Sequence, residues 1–206
     1  MKRRGSSGRW LDEHRRDEFV QRAQREGRVA RSAYKLIAID ERDKLLRPGS
    51  LVVDLGAAPG GWSEYAAEKV GDSGTVVALD ILPMQAPPGV EVIEGDFHEL
   101  STLEALRDAL GGEQADVVLS DMAPNFSGTK TVDQMRSMSL AELALDLCHE
   151  VLKPQGAFLV KVFHGEGFDD YARAMRETFT KVVTRKPDAS RARSRETYLL
   201  GRGLRS

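Results

Sequence analysis

The stretch "SLVVDLGAAPGGWSEY", residues 50–65, decides the fold of this chain. It opens with an apolar run broken only by Asp54, which is typical of a strand buried on both faces. A glycine-rich turn follows, and helical character begins at residue 61. Glycines let a ligand approach the backbone closely, so this turn, together with Asp80 at the end of the next strand, indicates either a nucleoside-containing ligand or an ordinary tight turn with a capping acid.

The same alternation of strand and helix continues along the chain. Further strands are predicted at 75–82, 90–95, 115–121 and 156–163, and helices at 61–70, 101–110, 133–153 and 167–178. The last two strands, 180–186 and 195–201, have no helix between them. We therefore predict an α/β, Rossmann-like fold with a mostly parallel seven-stranded sheet, an antiparallel last strand and helices on both faces.

The 206 residues predict a single domain, 1–206, with a basic N-terminal extension of about 30 residues ahead of the sheet. Two helices are expected there. The first ends at Gly27, and Ser32 caps the second, which stops before Pro48. No apolar segment is suited to a signal peptide or a membrane span, so we expect a cytoplasmic protein.

Cysteine and histidine usage excludes several kinds of site. The single cysteine, Cys148, cannot form an internal disulfide or a multi-cysteine zinc site. It falls on an apolar helical stripe, which favours a core role and argues against a cysteine-dependent base methyltransferase. The four histidines show no metal-ligand spacing. We therefore expect no metal.

Charge is segregated along the chain. Residues 1–35 and 181–206 each carry a formal charge of +6, whereas residues 36–180 carry −14. If the two ends fold onto one side, they form a basic face on an acidic body, which is the electrostatic signature of a nucleic-acid-binding protein. A basic tail that only aids solubility is the alternative, and for residues 1–10 it is the better interpretation.

Four aspartates follow the predicted strands: Asp54, Asp80, Asp96 and Asp121. Open α/β sheets bind ligands at the carboxyl edge of their strands. A single acid at a strand end is usually a turn or helix cap. Four of them predict an acidic pocket that suits a cationic ligand such as S-adenosylmethionine better than a pyrophosphate such as that of NAD.

The strand at 156–163 carries Lys161 within an apolar run. A buried ammonium group is costly unless it is paired or gives up its proton. Taken alone, a lysine near a strand end is more often one that reaches solvent. A desolvated lysine near a second cation can instead serve as a general base.

Five motifs together resemble the FtsJ-type 2′-O-ribose methyltransferases. They are "SAYKLIAID", "DLGAAPGGWS", "SDMAPN", "LVKVF" and "RKPDASRARSRETYL". The resemblance covers residues 25–201 in the same order. It implies transfer of a methyl group from S-adenosylmethionine to a ribose 2′-hydroxyl, a uridine by expectation, in 23S ribosomal RNA of the large subunit, late in subunit assembly. No obligate protein partner is expected.

The resemblance also implies roles for individual residues. A catalytic tetrad matches Lys35, Asp121, Lys161 and Glu196. Cofactor-binding roles match Gly60, Trp62, Asp80 for the ribose, Asp96 for the adenine amino group and Asp121 near the sulfonium. Arg191, Arg193 and Arg195 lie beside Glu196 in the sequence, and we expect them to contact substrate RNA.

Two alternatives stay open at this point. A non-catalytic RNA-binding factor for ribosome assembly could keep the same fold, although it would not need a lysine beside two acids. A 2′-O-methyltransferase for another RNA would carry the same motifs. A dehydrogenase is disfavoured, because Ala58 stands where a dinucleotide-binding turn has its second glycine.

Overall fold

The computed structural model describes residues 17–190 and 194–205. Within the described residues, the sheet is preceded by α1 (Glu18–Glu26) and α2 (Ala33–Asp43). The alternating region then follows as β1 (Leu51–Leu55), α3 (Gly61–Val70), β2 (Thr75–Asp80), β3 (Val90–Glu94), α4 (Leu100–Ala109), β4 (Ala115–Ser120), α5 (Lys130–Val151) and β5 (Leu152–Phe163). The chain closes with α6 (Phe168–Thr178), β6 (Phe179–Arg185) and β7 (Glu196–Leu204).

The seven strands form one sheet in the order β3-β2-β1-β4-β5-β7-β6. Strands β1 to β5 pair in parallel, whereas β7 runs antiparallel to both of its neighbours, β5 and β6. The predicted architecture, including the antiparallel ending, is therefore confirmed. The last strand in sequence lies inside the sheet rather than at its edge.

Two apolar layers cover the two faces of the sheet. On one face, Leu36 of α2 and Trp62 of α3 pack against Val52 and Tyr198. On the other face, α4, α5 and α6 cover a second cluster that includes Cys148, which is fully buried as expected. This double covering explains why the central strands are continuous apolar runs.

The residues ahead of the sheet differ from the usual capping pattern in one respect. Gly27 ends α1 in the left-handed conformation, as a C-terminal glycine does. Ser32 is the N-cap residue of α2, as predicted, but its side chain does not make the hydrogen bond that a capping serine usually makes. The Ser32 carbonyl instead accepts a hydrogen bond from Trp62 Nε1 at 2.9 Å, which ties α2 to α3.

The described residues include no helix that is both long and apolar enough to cross a membrane. They also hold no cluster of histidine, cysteine or acidic side chains arranged to bind a metal. The predicted basic extension of about 30 residues includes residues 1–16, which lie outside the described part. The domain division therefore stays a prediction.

Candidate active site

A cleft opens where the strand order reverses between β1 and β4. Its cavity of about 530 Å³ is lined by residues that follow the first four strands. They include Gly56 after β1, Asp80 at the end of β2, Asp96 after β3 and Asp121 after β4. This is the position at which open α/β sheets bind ligands.

The turn after β1 requires a glycine at position 56. Gly56 has φ +74°, and a Cβ at this position would lie 2.7 Å from the Cα of Met122. A larger residue would therefore be strained and would push the turns after β1 and β4 apart. The close approach of these two turns forms the floor of the cleft.

Asp80 is held rigidly at the rim. One of its carboxylate oxygens accepts the backbone N–H of Ala58 and the other that of Leu82, both at 2.8 Å. Two charge-assisted hydrogen bonds fix the direction of the carboxylate toward the cavity that it lines. A ligand hydroxyl can therefore meet an acceptor that is already oriented.

Asp96 lies farther along the rim and is partly exposed. Its Oδ1 accepts the backbone N–H of His98 at 2.9 Å, and the His98 ring lies at the same distance. These interactions hold the pKa of Asp96 below its ordinary value. The group therefore stays ionised at neutral pH and adds negative charge to the cleft.

Asp54 does not belong to this acidic rim. It is fully buried beneath the cleft, where Oδ2 accepts the Ser63 hydroxyl at 2.6 Å and Oδ1 has no hydrogen-bond partner in the described structure. Burial raises the pKa of Asp54 to about 7, helped by the neighbouring charges of Asp121 and Asp80. The prediction of four acids on one rim is therefore wrong for Asp54.

Gly60 and Trp62 lie outside the residues that line the cavity. Trp62 is 2 % exposed and packs on Tyr198, with 5.8 Å between ring centroids. Its side chain therefore holds α3 against the sheet. The cofactor-binding roles of these two residues, at the start of α3, stay predictions.

The four tetrad residues converge beside the cleft as two ion pairs. Lys161 Nζ lies 3.1 Å from Asp121 Oδ1, and Lys35 Nζ lies 2.8 Å from Glu196 Oε1. The Lys161 side chain is only 7 % exposed, so it does not reach bulk water. The four residues come from α2, the turn after β4, β5 and β7, so the fold brings distant parts of the chain to one place.

Lys161 has a second acceptor, because its Nζ donates to the Asp121 carbonyl at 2.5 Å. An ammonium group has three donors. One donor is used by the Asp121 carbonyl and the Asp121 carboxylate lies at ion-pair distance, so the nitrogen keeps hydrogen-bonding capacity for a substrate oxygen. The pair therefore fixes the amine next to the cavity that Asp121 lines.

Glu196 is ionised in this setting. Burial alone would raise its pKa, but the nearby positive charges of Lys35 and Lys161 bring the pKa below its ordinary value. The carboxylate therefore lies close enough to both lysines to interact with each. This links the two ion pairs into one charged group.

Tyr198 is a site residue that the sequence analysis missed. It is fully buried, and its hydroxyl donates to Asp121 Oδ1 at 3.1 Å. It pairs across the strands with Lys161. Burial raises its pKa well above the ordinary value, so the phenol stays a donor. The sequence does contain a signal for Tyr198: it lies two residues after Glu196 on a strand, and residues with this spacing point to the same face of the sheet.

The expected RNA-contacting arginines are only partly described. Arg191 and Arg193 lie outside the described residues, whereas Arg195 is exposed immediately before Glu196. The two basic ends of the chain do meet, since the Arg31 guanidinium donates to the Ala189 carbonyl at 2.5 Å. Arg185 is bound to Asp43 through two contacts of 2.6 Å, so it acts as a structural residue.

The fold and the cleft define a Rossmann-like methyltransferase. Solved structures show the same fold. A putative ribosomal RNA methyltransferase from Plasmodium falciparum superposes with a TM-score of 0.75 at 25% identity, over 85% of this chain and 97% of that one. Aeropyrum pernix fibrillarin, solved with bound S-adenosylmethionine, gives 0.54 at 13% identity over 82% of this chain and 76% of that one.

The chain belongs to the FtsJ-like methyltransferase family, whose model matches residues 28–204. Ribosomal RNA large subunit methyltransferase E from Alkalilimnicola ehrlichii is 64% identical over 203 residues, which is 98% of this chain and 97% of that protein. The protein of the same name from Marinobacter nauticus is 57% identical over 205 residues, which is 100% of this chain and 99% of that protein. The predicted family is confirmed.

Proposed function

We propose that this protein transfers a methyl group from S-adenosylmethionine to a ribose 2′-hydroxyl in 23S ribosomal RNA of the large subunit. The paired Lys161 and Asp121 at the edge of an acidic cleft carry this proposal. The names of the two nearly full-length relatives support large-subunit RNA as the substrate. A uridine target, a late assembly intermediate and a cytoplasmic site of action complete the proposal.

The residues of the cleft fit S-adenosylmethionine. Asp121 can face its sulfonium charge, Asp80 and Asp96 are acceptors for its hydroxyl and amino donors, and apolar side chains such as Leu79 and Phe97 also line the cavity. We assign Asp80 to the ribose hydroxyls and Asp96 to the adenine amino group. Gly60 and the backbone of Trp62 at the start of α3 complete the assigned set.

S-adenosylmethionine supplies an activated methyl group, so the protein has to place the acceptor hydroxyl and take up its proton. Lys161 Nζ is fixed by two contacts to Asp121, which hold it in place for that hydroxyl. We assign its unprotonated amine the task of orienting the 2′-hydroxyl and accepting its proton through the nitrogen lone pair, while the O–CH₃ bond forms and the S–CH₃ bond of the methyl donor breaks. The ion pair of Lys35 and Glu196 provides one positive and one negative charge next to this amine.

Asp80→Asn is expected to weaken S-adenosylmethionine binding by about 10-fold or more, because it removes a charged acceptor that carries roughly 1.5–3 kcal/mol in such hydrogen bonds. Calorimetry with S-adenosylmethionine measures the effect. Asp116→Asn is the matched control, since Asp116 also accepts a backbone N–H, that of Leu51 at 2.9 Å, but at the other edge of the sheet. Equal affinities for the two variants would contradict the assignment.

Arg195→Glu is expected to weaken binding to large-subunit RNA and to reduce the slope of log affinity against log salt by about 1, the change for one lost phosphate contact. Filter binding at several salt concentrations measures it. Arg173→Glu is the control, because Arg173 is also exposed but lies on α6, over the opposite face of the sheet. An unchanged salt slope for Arg195→Glu would reject the basic RNA face.

The proposed function itself is tested by mapping ribose methylation. We expect ribosomal RNA from cells lacking the protein to lose one 2′-O-methyl group in 23S RNA. The wild-type protein should restore it and Lys161→Ala should not. A complete methylation pattern in those cells would refute the activity. Restoration by Lys161→Ala would show that this lysine is dispensable for the modification.

A further inference from the structure

An exposed phenylalanine, Phe126, contacts the aromatic ring that neighbours Lys161. Phe126 is 64 % exposed, although it directly follows Asn125, which lines the cleft. Its ring meets the ring of Phe163 edge to face, with centroids 6.3 Å apart and an interplanar angle of 82°. A large apolar side chain that is exposed to water at the edge of the cleft does not serve the core.

The loop that carries Phe126 is fixed in place. The backbone N–H and the hydroxyl of Ser127 donate to Asp133 Oδ1 at 2.7 and 2.8 Å, and the N–H of Gly128 donates to Asp133 Oδ2 at 3.1 Å. These hydrogen bonds, the backbone one from Ser127 foremost, hold the pKa of Asp133 below its ordinary value. Asp133 therefore clamps the loop to the first turn of α5 and presents Phe126 in a set position.

The distance from Lys161 to Phe163, the ring that backs Phe126, is on the scale of a nucleotide. Phe163 follows Lys161 by two residues on β5, and Lys161 Nζ lies 5.9 Å from the centroid of the Phe163 ring. In a ribonucleotide, the 2′-hydroxyl and the base are attached to neighbouring carbons of the ribose. A hydroxyl in hydrogen-bond contact with Lys161 Nζ therefore brings its own base within reach of the two phenylalanine rings.

We propose that Phe126, backed by Phe163, is a stacking surface for the unpaired base of the nucleotide whose ribose is methylated. This inference rests on the proposed function and identifies how the target nucleotide is held. Aromatic side chains stack on any base and contribute about 1–3 kcal/mol per base. The surface therefore selects a base that has left its helix, and it sets the angle at which the 2′-hydroxyl meets Lys161.

The test uses large ribosomal subunits from cells lacking this protein as methyl acceptor. Phe126→Ala should lower kcat/KM for the subunits by about 5- to 100-fold, the equivalent of one lost stacking contact. Phe126→Trp should stay near wild type and Phe126→Leu should stay low, because stacking needs an aromatic face. Affinity for S-adenosylmethionine, measured by calorimetry, should not change in any of the three.

Met135→Ala is the matched control, since Met135 is also 64 % exposed and lies on α5. Equal kcat/KM for Phe126→Ala and Met135→Ala would overturn the stacking surface, and so would full activity of Phe126→Leu, which would indicate apolar docking of a protein. A parallel loss of cofactor affinity would also overturn it. If wild type transfers no methyl group to the subunits, the proposed function fails instead.

Discussion

We expect Lys161→Ala to lower the rate of methyl transfer by about 10²- to 10⁴-fold, the usual contribution of a positioned general base. The Lys161 side chain is 7 % exposed and its amine is bound to Asp121 through two contacts, so its position is fixed. Single-turnover transfer to large ribosomal subunits measures the rate directly.

Two further lysine variants make this result specific. Lys153 lies on the same strand, β5, and also pairs with an aspartate, Asp116, at 2.7 Å, but at the opposite end of the strand. Lys153→Ala should keep wild-type turnover. Lys161→Arg keeps the charge and the donors but cannot lose a proton in a protein, so it should be as slow as Lys161→Ala. An active Lys161→Arg would show that orientation alone suffices.

The stability of Lys161→Ala has to be measured alongside its activity. Removal of one partner from a buried ion pair costs about 3–5 kcal/mol, because the other charge is left uncompensated. S-adenosylmethionine affinity close to that of the wild type shows that the fold and the cleft are intact. Turnover close to wild type in such a folded variant would remove Lys161 from the chemistry.

The second large effect is a pH dependence of stability that originates at Asp54. Its pKa is raised to about 7 in the folded chain, against about 3.9 in an unfolded one. The folded state therefore binds this proton more tightly, and stability falls as pH rises from about 4 to about 7 and then levels off. Between pH 5.5 and pH 8 the loss is on the order of 2 kcal/mol.

Asp54→Asn should remove most of this dependence, because its side chain carries no charge at any of these pH values. Chemical denaturation at pH 5.5 and pH 8, without cofactor, gives the free energies of unfolding. Asp72→Asn is the control and should follow the wild type, since Asp72 is exposed in the turn before β2. If wild type and Asp54→Asn lose stability in parallel, the buried carboxyl is not the cause.

The strands could be predicted because each central one is a continuous apolar run. The sequences of β1, β2, β4 and β5 show this directly, since both faces of the sheet are covered. The cavity acids Asp80, Asp96 and Asp121 could be predicted for a related reason. Parallel strands end at the same edge of a sheet, so residues that follow them come together.

The rest of the site depends on directions that a sequence does not encode locally. A position near a strand end does not show whether a side chain faces the cleft or the core. The sequence therefore predicts Asp54 on the rim, whereas its carboxylate accepts a hydrogen bond from Ser63 of α3 inside the protein. Lys35 and Glu196 form an ion pair although they lie far apart in the sequence. This pairing followed from the family resemblance and from no spacing rule. Ser32 had the right residue type for a cap, yet its carbonyl binds Trp62.

The interior position of β7 has a consequence for biosynthesis. In the described part of the chain, β6 pairs with β7 alone, and β7 also contributes Glu196 to the charged group around Lys161. A nascent chain that has emerged only as far as β6 therefore lacks both the strand that joins β6 to β5 and the partner of Lys35. The sheet and the charged group can be completed once residues 196–204 have left the ribosome.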